Sequence, residues 1–260
     1  QFVLGATVST IAVSIYSVAI TLQGIYMSYS MSIASVMLPR FTSMEVRHAS
    51  DKDVSDLFIR TGRLQFVILG LLTSGFVVFG YRFIQLWAGM DYSDSYAITV
   101  LFFAALIVPL IQNTGITILQ ARNKMKFRSL LYIVIAAVTL VAQILLAPRY
   151  QGLGCAWAIA AALILGQGLI MNIYYYKKQN LDIPRFWKEI CRMALVPLVF
   201  MTIGLIVFTQ VEIEGWGDLA IGICVYLLLY LPAFWRLSLN NYEKDLLRGP
   251  LKRILTAFSR

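Results

Sequence analysis

Seven stretches of the chain contain no charged side chain: residues 2–39, 64–81, 95–121, 129–148, 150–176, 193–211 and 219–235. A helix needs roughly 20 mostly apolar residues to cross about 30 Å of hydrocarbon, and each stretch reaches or approaches that length. Inside lipid every backbone amide must be paired within its own segment, so helices are the expected form. Strands of a transmembrane barrel would be about half as long and would alternate polar with apolar positions, which these do not. The pattern predicts an all-α integral membrane fold of about seven transmembrane helices, over about 8–38, 64–82, 96–120, 129–147, 153–176, 193–211 and 218–235. A basic tail follows at 237–260.

Composition points the same way. Of the 260 residues 59% are hydrophobic and 13% charged, and the mean hydropathy is +0.74. A soluble domain carries about 25% charged residues to wet its surface. The net charge of +9 raises the question of nucleic acid, but in a membrane protein the placement of the charges matters more. Twenty of the 22 Lys and Arg fall in alternate gaps, at 40–63, 122–128, 177–192 and from 236 onward. The intervening gaps hold only Arg82 and Arg149. The positive-inside rule makes the rich side cytoplasmic, with residue 1 outside and the C-terminus inside. A multi-pass protein of the cell (plasma or inner) membrane is expected, with membrane lipids around it and no nucleic-acid partner.

The remaining local signals concern the boundaries. Gln1 starts directly in apolar sequence with no basic n-region or cleavage pattern, so the first stretch is not read as a signal peptide. Trp87, Trp157 and Trp216 fall near outer ends, and Trp187 and Trp235 near inner ones, as interfacial aromatics do. In the tail, Leu251, Ile254, Leu255 and Phe258 share a helical face, which suggests a short amphipathic helix on the inner leaflet. A frayed tail is the alternative, since so short a helix is marginal alone. Cys155, Cys191 and Cys224 have no metal or redox spacing and read as small packing residues. His48 lies in a charged loop, and no cofactor or metal site is expected.

Candidate chemistry is sparse. The acidic pairs Asp91/Asp94 and Glu212/Glu214 resemble general acid–base pairs only in type, and solvated loops that obey the charge bias are the favoured reading. There is no nucleophile triad, no phosphate loop and a single histidine, so an enzyme is the weaker class. Polar residues inside the spans are more informative, because such groups usually face the bundle interior. Gln112 and Asn113 follow Pro109 and precede Gly115, where a proline-freed carbonyl and a kink can line a cavity or gate. Interhelical hydrogen bonding needs the same residues. The first span is rich in Ser, Ala and Gly, which suits close packing or the wall of a cavity for a hydrated head group. Arg40, Arg60 and Arg63 gather at the cytoplasmic ends of the first two spans, with Arg122 and Lys124 after the third. They serve either as simple anchors or as a funnel for an anionic lipid diphosphate, which arginine binds well.

Particular strings then carry a resemblance. "VSIYSVAITL" and "SIASVMLPRF" (Ile15-Tyr16-Ser17 and Val36 to Arg40) resemble the helix opening the C-terminal lobe of oligosaccharide flippases. These form the O-antigen and polysaccharide branch of the multidrug/oligosaccharidyl-lipid/polysaccharide exporter superfamily. "FIQLWAGMDYSDSY" is similar to the family's outer turn, "LQARNKMKFRS" to a cytoplasmic loop, and "PRYQGLGCAWA" to a Gly-Tyr turn. In the last, the glycines Gly152 and Gly154 are more closely spaced and Cys155 replaces an alanine. The ordered matches cover about residues 1–180. The resemblance implies the C-terminal lobe and last helices of a two-lobed, alternating-access transporter whose partner is an N-terminal lobe outside this chain. It implies as cargo a polyprenyl-diphosphate-linked oligosaccharide, flipped outward for surface polysaccharide, with Arg40, Arg60, Arg63, Gln112, Asn113 and Arg122 as candidate contacts. A drug or cation antiporter of the same superfamily is the nearest rival, and a polysaccharide polymerase or ligase a more distant one.

Overall fold

The computed structural model describes residues 2–208, 210 and 214–245, and all regular structure among them is helical. After a short α1 (Phe2–Thr7) come α2 (Thr10–Val46) and α3 (Asp51–Trp87). Next are α4 (Ser95–Ile111) with α5 (Thr114–Ala121), then α6 (Lys126–Leu163), which runs through a π-helical stretch (Ile164–Ile170) into α7 (Met171–Gln179). The bundle closes with α8 (Ile183–Phe208) and α9 (Trp216–Leu237). Six of these continuous stretches are long and apolar enough to cross a membrane.

One of the six, Lys126–Gln179, has 54 residues. At 1.5 Å per residue it would be about 80 Å long if straight, far more than a bilayer needs. It is bent double. Gln151 has φ 50° and ψ −133°, which no helix tolerates. Pro148 lacks the N–H that would continue the ladder, and a Cβ on Gly154 would lie 2.6 Å from the Leu146 carbonyl oxygen. The two arms then run back along each other. The rings of Phe127 and Tyr174 stack at 4.2 Å, and a Cβ on Gly166 would strike Ile135. The described residues therefore contain seven long apolar rods, one for each uncharged stretch of sequence.

Between helices in lipid there is little hydrophobic drive, so contact depends on small residues that let backbones approach. In α3, which packs on α2, α4, α8 and α9, these are Gly62, Gly70, Ser74 and Gly80. At Gly62 a Cβ would collide with Phe186 and lie 2.8 Å from the Ile111 carbonyl. On the other side of α3, Tyr226, Tyr230 and Phe234 stack one turn apart along α9, and Phe79 and Phe200 meet them edge-on. Outward faces of α6, α8 and α9 expose Leu130, Leu145, Leu198, Ile206 and Leu228. A surface of that kind is solvated by lipid chains, as a multi-pass membrane protein requires.

Turns gather the basic gaps at one end. His48, Asn123 and Asn180 all take left-handed φ angles of 51–54° as the chain leaves α2, α5 and α7. Histidine and asparagine are among the residues that adopt this region most readily. Ser50 caps α3, accepting from the Asp53 N–H and donating to its carboxylate at 2.6 Å. At the opposite end Phe83 contacts both Trp87 and Trp216. Of the cysteines only Cys155 is buried; Cys191 and Cys224 are exposed, so packing accounts for one of the three. Trp187, near the start of α8, donates its indole N–H to Asn172. The amphipathic stretch at 251–258 and the loop residue Glu212 lie outside the described residues.

Candidate functional site

Two of the arginines singled out in the sequence are fully engaged. Arg63 is buried where α3 passes α8 and the segment following α9. Its Nε and Nη2 donate to Glu243 at 2.5 and 2.8 Å, Nη1 to Glu189 at 2.6 Å, and Nη2 also to the Ser238 carbonyl at 3.1 Å. Arg122 clamps the ends of α2, α3 and α7: it donates to Glu45 at 3.2 Å, to Asp51 at 2.9 Å and to the Gln179 carbonyl at 2.7 Å. Both guanidiniums hold helix ends together, with their charge met by carboxylates. Arg60 lies 4.8 Å above the ring of Tyr242. Arg40 is exposed beside Pro39, Ser43, Met44 and Leu57, which line a shallow groove. The arginines thus share one end of the bundle but do not converge on one space.

Gln112 and Asn113 take different roles. The break after Pro109 ends α4 at Ile111 and begins α5 at Thr114. Gln112 turns into the bundle, donating to the Asn172 side chain at 2.7 Å and accepting from it at 3.2 Å. Asn172 also receives the Trp187 N–H at 2.9 Å and donates to the Gly168 carbonyl, in the π-helical stretch, at 2.7 Å. This cluster ties the broken helix to the π-helix and to α8. It is the interhelical hydrogen bonding that polar residues in spans commonly provide.

Asn113, and Gln112 beside it, line a cavity of about 330 Å³ between α2, α4, α6 and α7. That volume lies in the usual range for small-molecule sites. Its wall is apolar at Met27, Met31 and Leu106 and polar at Gln23, Arg128 and Gln167. Arg128, in the first turn of α6, lies along its own helix: Nη2 donates to the Tyr132 hydroxyl at 3.0 Å, and the guanidinium lies 4.5 Å above that ring. In the sequence Arg128 reads only as one of the cations of the 122–128 gap. The available signal was a tyrosine four residues further on, one helical turn inside the apolar stretch.

A second feature is the outer face of α2. Ser14, Thr21, Gly24, Ser28, Ser32 and Ser35 are exposed, and Ser17 is half-buried beside them. At 3.6 residues per turn these fall within an arc of about 80°. The opposite arc, with Tyr16, Ala19, Tyr26, Ser30 and Ala34, is buried against the bundle. Each hydroxyl donates back along its own helix, as Ser14 does to Thr10 at 3.1 Å and Ser32 to Ser28 at 2.8 Å. An exposed hydroxyl that donates in this way can still accept from a group outside the bundle. The stripe is flanked by exposed Ile20, Ile25 and Leu38. Asp91 and Asp94 are exposed around the turn Met90–Tyr92, far from this stripe along the chain. No protein-family model, no curated protein and no solved structure matches this chain.

Proposed function

We propose that this chain forms the C-terminal lobe of a membrane transporter that flips a polyprenyl-diphosphate-linked oligosaccharide from the cytoplasmic to the outer leaflet by alternating access. The observation that carries the reading is the hydroxyl stripe of α2 on the side facing away from the bundle. Hydrocarbon solvates Ile and Leu, and polar groups at membrane depth face protein or a water-filled path. A second lobe across a hydrated cavity would give this face its proper surroundings, and sugar hydroxyls could donate to its hydroxyl oxygens. The string resemblances supply the cargo. The basic end is assigned to the cytoplasm of the cell's plasma or inner membrane by the positive-inside rule.

A drug or cation antiporter would use an intramembrane carboxylate to couple ions, and the seven uncharged stretches contain neither Asp nor Glu. The deciding experiment deletes the gene and restores the intact reading frame. Deletion should cause lipid-linked repeat units to accumulate on the cytoplasmic face while surface polysaccharide disappears, and restoration should reverse both. Unchanged lipid-linked sugar together with new sensitivity to cationic drugs would overturn the assignment in favour of the antiporter.

A further inference from the structure

Two residues that line the cavity between α2, α4, α6 and α7 each carry a side-chain donor with no hydrogen-bond partner among the described residues. Gln167 is 6% exposed, and its side-chain nitrogen is buried without a partner. Nε of Arg128 is buried and unpartnered as well. Both residues line the same cavity. Leaving a buried donor unsatisfied is costly, and more so when the group is charged. Folded proteins keep few such groups, so two of them on one cavity wall call for a partner beyond the described residues.

Arg128 has an ordinary alternative that it does not take. From the first turn of a helix an arginine can extend to the water at the membrane surface. Here it points one turn inward over Tyr132. Arg63, Arg122 and Arg185 each meet a carboxylate within 3.2 Å, whereas among the described residues no carboxylate lies within 4.0 Å of Arg128. The cavity therefore holds a positive charge with no counter-charge from the described part of the chain.

Those donors specify the ligand. A cationic N–H beside an amide N–H calls for a group that only accepts and is negatively charged, and guanidinium geometry suits phosphate oxygens. The rest of the wall is hydrocarbon and thioether, from Met27, Met31 and Leu106. Methionine adapts readily to flexible chains. We propose that this cavity binds a phosphate ester, with its oxygens taken by Arg128 and Gln167 and its apolar portion lying on Met27 and Met31. The site follows from the donors alone and stands whether or not the chain flips sugar, since a membrane phospholipid and a lipid-linked cargo present the same chemistry.

The test uses the intact protein in neutral maltoside micelles, titrated by calorimetry with dioctanoyl phosphatidate and, as the uncharged control, dioctanoylglycerol. Saturable binding of the phosphatidate alone is expected. Arg128→Gln and Gln167→Met should each weaken it about tenfold or more, since a hydrogen bond to a charged group contributes about 1.5–3 kcal/mol. Gln167→Met removes an unsatisfied buried donor at nearly constant shape, so its ligand-free melting temperature should stay level or rise while binding falls. That variant decides the matter even if Arg128→Gln folds poorly. Competition by inorganic phosphate at equal concentration would identify free phosphate as the ligand, and failure to compete would identify the lipid ester; either agrees with a phosphate site. Absence of saturable binding, equal binding of dioctanoylglycerol, or full binding by a folded Gln167→Met protein would overturn it. None of these outcomes bears on the accumulation of lipid-linked sugar in the deleted strain.

Discussion

Arg63 shows how much an isolated residue type leaves open. It is 3% exposed, and its main partner, Glu243, lies 180 positions away along the chain and is itself buried. Local sequence shows a basic residue at the end of a span and nothing more. A buried pair is weak evidence for stability, but breaking one strands the other charge, at a cost of about 3–5 kcal/mol. Arg63→Gln should therefore lower the melting temperature in detergent by many degrees. Arg63→Leu combined with Glu243→Leu should recover much of the loss, because no unpaired charge remains in the interior. If the double variant melts no higher than the single one, the ion pair is more than a mutual neutralisation. Glu189 is partly exposed, so its contribution is smaller. Gln112 follows the same logic with neutral groups. The kink after Pro109 is legible in sequence, but its partner Asn172 comes from a different rod.

At the scale of elements, α2 is divided between a buried face and a hydroxyl face, and the second is what the functional reading depends on. Labelling tests it directly. In a protein whose three cysteines are replaced by alanine, Thr21→Cys and Ser28→Cys should react with a hydrophilic maleimide in intact membranes. Leu198→Cys, on an outward apolar face of α8, should not, because thiolate does not form in hydrocarbon. Equal labelling at all three positions would remove the argument for a hydrated path. The richness of this span in small residues was plain from the sequence. Which arc faces the bundle was not, since Ser30 belongs to the buried arc, where it donates to the Leu110 carbonyl at 2.7 Å, while Ser28 and Ser32 do not.

For the whole molecule, the main result is that alternate loops meet. The ends of α2, α5, α7 and α9 and the starts of α3 and α8 come together through Arg122, Arg63 and Arg185, the last bound to Asp56 at 2.5 Å. The 16 cations of the rich gaps that fall among the described residues are thus sorted to one end by the up-and-down course of the rods. The positive-inside rule then orients the bundle. Alkaline phosphatase fused after Gly215 should be active and fused after Asn180 inactive, and a fluorescent protein should show the reverse. The opposite pattern would invert the orientation and with it the direction assigned to transport.

The sequence by itself determined the class of fold, because burial in lipid is a one-dimensional demand. A run of about 20 uncharged residues must be a helix wherever it sits, and charge in the gaps between runs needs only counting. Even the fold-back at Gln151 is marked, by Pro148, by Arg149 and by the glycines that interrupt the apolar pattern there. The tertiary structure alone decided which polar groups are satisfied. Whether an arginine is a clamp or a free donor depends on carboxylates supplied from distant rods, and those distances are set by helix packing. So Arg63 and Arg122, the obvious anion ligands in one dimension, are neutralised in three. Arg128 and Gln167, separated by 39 positions of sequence, meet in one cavity because the chain doubles back between them.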